Sequence, residues 1–301
     1  MWVDRTEEVH RGLRLIPQLG EVMPEEANGE VRRIYEDMRA RLRVPFVNFV
    51  FRMLANYPAY LSLSWNHLSP HLLTTSFERA SDDLRSRALL EPLPVASVAP
   101  GLSSLGDLED IRGFTDTIHY VLPKLLLVAS ALDEGLGGER GASVDTPEDA
   151  VSPGVAEGTS VLPMVAPDEA EGEVRSIFEE IQELHGHPNA ASYYRGIATR
   201  PDFLSEAWRH TRPLVGSASY RKKKQELLEN ARDIVLGLPL PEREAALSAG
   251  VKEESLEEIG SILAVFRFRV IPDTFIEVVR IKALLDGPED AGSSRFSFAT
   301  R

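Results

Sequence analysis

Between residues 23 and 42 the apolar side chains fall at Ala27, Val31, Ile34, Tyr35, Met38 and Leu42, one face of a helix of about 3.6 residues per turn. Pro24, Glu25 and Glu26 suit the start of that helix, because a first-turn amide has no partner to lose and acids favour the positive end of the helix dipole. The same face returns as Ala170, Val174, Ile177, Phe178 and Ile181. A second amphipathic helix is predicted from Pro58, with Leu61, Trp65 and Leu68 on one side, and again from Pro201, with Leu204 and Trp208. FVNFVF (46–51) is strand-like in composition, but NAASYY (189–194), which stands in the same place in the second half, is not, so both are read as the start of a helix. With so few strand signals the fold class is all-α.

The two halves are copies. MPEEANGEVRRIYEDM (23–38) aligns without a gap on APDEAEGEVRSIFEEI (166–181) at an offset of 143 residues. The same offset pairs Pro45 with Pro188, Arg52 with Arg195, Trp65 with Trp208 and His67 with His210. Only two units occur, each far longer than a solenoid repeat, so a duplicated domain is indicated rather than an array. The organisation read from this is an N-terminal arm (1–22), a first helical repeat (23–136), a linker rich in Gly, Pro, Ser and acids (137–160), a second helical repeat (161–288) and a tail (289–301). Two such halves are expected to pack as an intrachain pseudo-dimer about an approximate twofold axis, with any pocket between them lined by equivalent positions.

Composition narrows the chemistry. The net charge of −14 argues against a nucleic-acid partner, and the one basic run, RKKKQ (221–225), reads as a solvated helix face. The absence of cysteine removes thiolate nucleophiles, Cys-ligated zinc and iron–sulfur clusters. No stretch of about 20 apolar residues is present to cross a membrane, and the first residues are charged throughout, so a cytoplasmic location without a membrane partner is expected.

The copies differ most where VPFVNFVF faces HPNAASYY: Phe46, Phe49 and Val50 stand opposite Asn189, Ser192 and Tyr193. A pocket here would have one apolar and one polar wall. YEDMRARLRVPFVNFVFRMLANYPAYLSLSW and LHGHPNAASYYRGIATRP resemble the first and second repeats of the group I 2-haloacid dehalogenases, the DehI type, and PKLLLVASALDEG and VVRIKALLDG resemble their later helices. That resemblance covers nearly all of the chain beyond residue 20. It implies an all-helical pseudo-dimer that associates into homodimers, needs no cofactor, and hydrolyses D- and L-2-haloalkanoic acids with inversion, an activated water attacking the halogen-bearing carbon. Phe46 matches a family tryptophan, Phe49 a phenylalanine and Ser192 a serine, and Leu122 falls where the family has an asparagine. The next position after the serine, where the family has its general-base aspartate, is Tyr193.

Tyrosine is a poor replacement for that aspartate. A phenol with a reference pKa near ~10 is only about 0.1% ionised at pH 7, and making it a working base takes a depression of about three units, on the order of 4 kcal/mol. Arg195 could supply positive charge, but Arg52 recurs at the equivalent place, which suits a framework role. The candidate site is therefore Tyr193 and Ser192 as the catalytic pair, with Phe46, Phe49, Leu122 and Asn189 lining a pocket for a small carboxylate. His119, His185 and His187 could replace the base or bind a metal. His-x-His alone lacks a third ligand, so no metal site is assigned. Three functions stay open: hydrolysis with another base, different chemistry in the same pocket with Tyr193 as a donor, and non-catalytic binding of a small carboxylate or apolar ligand.

Overall fold

The computed structural model describes residues 5–91, 105–139, 141 and 150–296. Parts of the linker and of the tail assigned above therefore lie outside the described residues. Among those described, no strand forms and the only bridge is an isolated pair, Thr74 with Ala150. The protein is all-α. Its helices are α1 (Thr6–Leu19), α2 (Gly29–Leu42), α3 (Phe49–Leu54), α4 (Pro58–Leu68), α5 (Thr75–Arg87), α6 (Glu109–Leu136), α7 (Gly172–His185), α8 (Ser192–Ile197), α9 (Pro201–Thr211), α10 (Ala218–Val235), α11 (Arg243–Ser248), α12 (Glu253–Val265), α13 (Ile271–Asp286) and α14 (Pro288–Ala291).

The 143-residue offset reappears in three dimensions as matching helix bounds and matching local bonds. Helices α2, α3 and α4 begin and end 143 residues before α7, α8 and α9. Trp65 Nε1 donates to Asp37 at 2.7 Å and Trp208 Nε1 donates to Glu180 at 2.7 Å, so each tryptophan ties its helix to the preceding long one. Thr74 and Ser217 cap α5 and α10 by accepting from the amides of Phe77 and Tyr220, satisfying one of the four unpaired donors at each helix start.

Three details differ from the periodicity. Residues 24–26 form a turn, and α2 starts only at Gly29, because the chain passes through the left-handed region there (φ 50°), as it does at Gly172 (φ 54°). Residues 46–48 and 189–191 precede α3 and α8 instead of belonging to them, with Asn48 and Ala191 extended (ψ 152° and 149°). The N-terminal arm contains a full helix, α1, whose Gly12 lies so close to α12 that a Cβ would fall 2.2 Å from the Ser261 carbonyl oxygen.

The core is centred on α6 and α13. Helix α6 is buried along almost all of its 28 residues despite Pro123 in its interior, and α13 is buried over residues 271–284. A π-helical turn at Phe266–Val270 joins α12 to α13, and such turns re-aim side chains that a regular helix would point elsewhere.

Candidate functional site

A cavity of about 90 Å³ lies where α3, α6, α8 and the π-turn converge. It is smaller than the roughly 300 Å³ and upward typical of drug-sized ligand sites, so it suits a molecule of a few heavy atoms. Phe49, Leu122, Asn189, Ser192 and Tyr193, five of the six residues singled out from the sequence, line it. Phe46 does not; its half-buried ring packs against the hydrophobic core instead. Phe49 meets Phe266 edge-on at 4.9 Å, and Ile118, Val121, Leu122 and Leu125 supply the apolar surface from α6. The extended residues before α8 bring Asn189 to the cavity, and α8 starts with Ser192 at its edge.

Tyr193 is fully buried, and its hydroxyl is engaged. It shares a hydrogen bond of 3.0 Å with Thr115 Oγ1, a residue of α6 that does not line the cavity, while its ring stacks on Phe114 at 5.9 Å. Gly196 makes room for that stack, since a Cβ there would lie 2.5 Å from the Phe114 ring. Burial pushes the Tyr193 phenol well above its ordinary value; the Thr115 hydroxyl works against this only weakly, and the Asp116 carboxylate adds to it. A phenol so placed is a neutral wall group, not a base at neutral pH.

The ionisable groups that do line the cavity, apart from this phenol, are Glu21, Arg52 and Arg195. Sequence reasoning missed Glu21 and took the arginines for framework. The framework reading fits the backbone: Val22 N donates to Arg52 O at 3.1 Å and Val165 N to Arg195 O at 3.0 Å, the same bond at equivalent positions. The side chains diverge. Arg52 Nε bonds Glu21 Oε2 at 2.6 Å, whereas the position equivalent to Glu21 beside Arg195 is Met164, and Arg195 Nε donates to the Val165 carbonyl at 3.1 Å. Burial and the neighbouring Arg52 charge lower the Arg195 guanidinium, with Glu21 partly restoring it. Asn48 Oδ1 is buried beside these groups without a hydrogen-bond partner.

None of the histidines weighed as substitute bases reaches the cavity. His119 is buried, with Nε2 bonded to the Ala291 carbonyl at 2.9 Å, and burial together with the Arg85 charge holds it well below the usual imidazole range. His185 and His187 stack at 4.9 Å against Asp273 and Glu277 of α13. Lys224, from the run read as a solvated face, turns inward and meets Asp273 Oδ2 at 2.8 Å, while Lys222 stays exposed.

Comparison with known proteins gives a consistent picture. The family profile described as "Halocarboxylic acid dehydrogenase DehI" matches residues 45–194, which include Phe49, Leu122, Asn189, Ser192 and Tyr193 of the cavity lining. A configuration-inverting 2-haloacid dehalogenase of Alcaligenes xylosoxydans xylosoxydans is 32% identical over 291 residues, 93% of this chain and 97% of the relative. An (R)-2-haloacid dehalogenase of Pseudomonas putida is 26% identical over 80% of this chain and 85% of its own length. Among solved structures, a D-2-haloacid dehalogenase in complex with L-LA superposes with a TM-score of 0.75 at 26% identity, covering 88% of this chain and 95% of that one. No helix among the described residues is long and apolar enough to cross a membrane.

Proposed function

Because the chain belongs to the DehI family of 2-haloacid dehalogenases, we propose that its cavity takes a short 2-substituted carboxylic acid of the class those relatives act on, and holds it without base-assisted hydrolysis at position 193. The observation behind this is the Tyr193 hydroxyl bonded to Thr115; the family resemblance puts the base carboxylate at this position. Arg195 is the group for the ligand carboxylate: with Arg52 offset by Glu21, it leaves the lining with one net positive charge, and a guanidinium suits a carboxylate geometrically. The apolar wall of Phe49, Leu122 and Phe266 then faces the alkyl end and the 2-substituent. A relative's complex with L-LA supports a ligand of this size.

The pseudo-dimer is part of the same proposal. Equivalent helices α3 and α8, equivalent arginines and the segments around residues 48 and 191 all meet at one cavity, as expected of a junction between repeats 23–136 and 161–288.

A second reading has one observation in its favour: Glu21 is a carboxylate in the lining. Here Glu21 takes a proton from water, the water oxygen bonds to the 2-carbon, and halide leaves with the bonding pair. Its Oε2 is engaged by Arg52 Nε at 2.6 Å rather than free to meet a water, so the binding reading is preferred. The test is calorimetric titration with both enantiomers of 2-chloropropionate alongside halide release, for the natural protein, Glu21→Gln and Tyr193→Asp. Binding without release supports the first reading, and release lost in Glu21→Gln supports the second. Neither binding nor release would overturn both.

A further inference from the structure

Outside the cavity lining, and joined to α8 through the Tyr194–Glu277 bond, stands a buried cluster that the proposed function does not use. His185, His187 and Asp273 are all buried and offer ligand atoms within 4.8 Å of one another. Two of these atoms surround the same oxygen: His187 Nε2 is 3.3 Å and His185 Nδ1 is 3.8 Å from Asp273 Oδ2. Ligands bound to one tetrahedral ion at about 2.0–2.2 Å stand roughly 3.3–3.5 Å apart, so little movement brings the three onto a common centre. The other nitrogen of His185, Nε2, is 2.7 Å from Glu277 Oε1, the outer carboxylate that orients a ligating imidazole in many metal sites. Glu277 is fixed in turn by the Tyr194 hydroxyl at 2.7 Å, and Asp273 Oδ1 accepts from Tyr220 at 3.1 Å.

Two further observations separate this cluster from a packing accident. His187 Nδ1 is buried without a hydrogen-bond partner, a cost that buried polar atoms rarely bear unexplained. The fold also does not need the histidines: the equivalent positions of the first half are Leu42 and Val44, buried to 1% and 0% exposure, and they pack the same framework with hydrocarbon alone. A solvent cleft lined by His185, Tyr220, Lys224 and Asp273 leads to the cluster from outside.

We propose that His185, His187 and Asp273 form a binding site for a divalent transition-metal ion such as zinc, separate from the acid-binding cavity, with Glu277 as the supporting carboxylate. Two imidazoles and a carboxylate suit that class of ion better than magnesium or calcium, which prefer oxygen throughout. Lys224 is the competitor. Its ammonium sits 2.8 Å from Asp273 Oδ2, at the inner end of the cleft, and its flexible stem must swing outward for the ion to enter.

The experiment is titration of the chelator-treated full chain with cobalt(II), read by its ligand-field absorption and by the shift in unfolding temperature, with zinc(II) as competitor. One equivalent is expected, with affinity weakened at least about tenfold in His187→Gln. Removing the competing charge in Lys224→Met, which leaves all three ligands in place, is expected to tighten binding by about tenfold or more. Absence of binding in both the natural protein and Lys224→Met overturns the proposal. So does binding that His187→Gln leaves unchanged, which marks an adventitious surface site. Binding by Lys224→Met alone overturns it too, since the lysine is then the site's own cation.

Discussion

Replacing Tyr193 with phenylalanine tests the reading of the cavity most directly. The ring keeps its stack on Phe114 at 5.9 Å and its edge contact with Tyr194 at 5.7 Å, so what is lost is one neutral, buried hydrogen bond to Thr115. Such a bond contributes about 1 kcal/mol, and the abandoned threonine hydroxyl can turn to a carbonyl one turn back in its own helix, which keeps the cost at the low end. For a chain of this length that amounts to a fall in unfolding temperature of about 2 °C. Affinity for 2-chloropropionate should change by less than about twofold, because the hydroxyl points at a residue outside the lining. If the phenol were instead the general base, its removal would slow halide release by about 10²–10⁴-fold. Thermal unfolding, calorimetric titration and halide release on the two proteins decide between these. The reasoning fails if affinity drops tenfold or more, or if release by the natural protein collapses in Tyr193→Phe while the fold is intact.

Two other outcomes follow from the same structure. Arg195→Met should weaken 2-chloropropionate binding by about 10- to 150-fold, the loss of a charge-assisted hydrogen bond worth about 1.5–3 kcal/mol, and unchanged affinity with an intact fold would remove Arg195 from the site. All seven tyrosines are pushed above the ordinary phenol value, in each case chiefly by burial. Because the folded protein holds these protons more tightly than the unfolded chain, the linked stability is fully present below about pH 10 and is lost as pH rises beyond it. Phenolate absorption should therefore appear together with alkaline unfolding; tyrosines that titrate reversibly near pH 10 with unchanged helical circular dichroism would contradict this.

Much of the scaffold was readable along the chain. The apolar faces of α2 and α7, the proline starts of α4 and α9, and the recurring tryptophans all reappear at their expected places, because helix periodicity and the bonds Trp65–Asp37 and Trp208–Glu180 are properties of segments fewer than 30 residues long. Of the divergent stretch opposite NAASYY, Asn48, Phe49 and Val50 line the cavity and Phe46 does not. Glycine, not proline, set the beginning of α2, because a left-handed backbone at residue 29 outweighs a favourable first turn.

What the chain by itself determined, then, is the class of fold and the 143-residue spacing at which its helices recur. What only the tertiary structure decided is where the Tyr193 hydroxyl goes, that Arg52 bonds Glu21, and that His187 finds Asp273 86 residues away. Helical patterns repeat every few residues and can be read locally. Convergence of side chains from distant helices depends on how those helices pack, and no spacing within one segment encodes it.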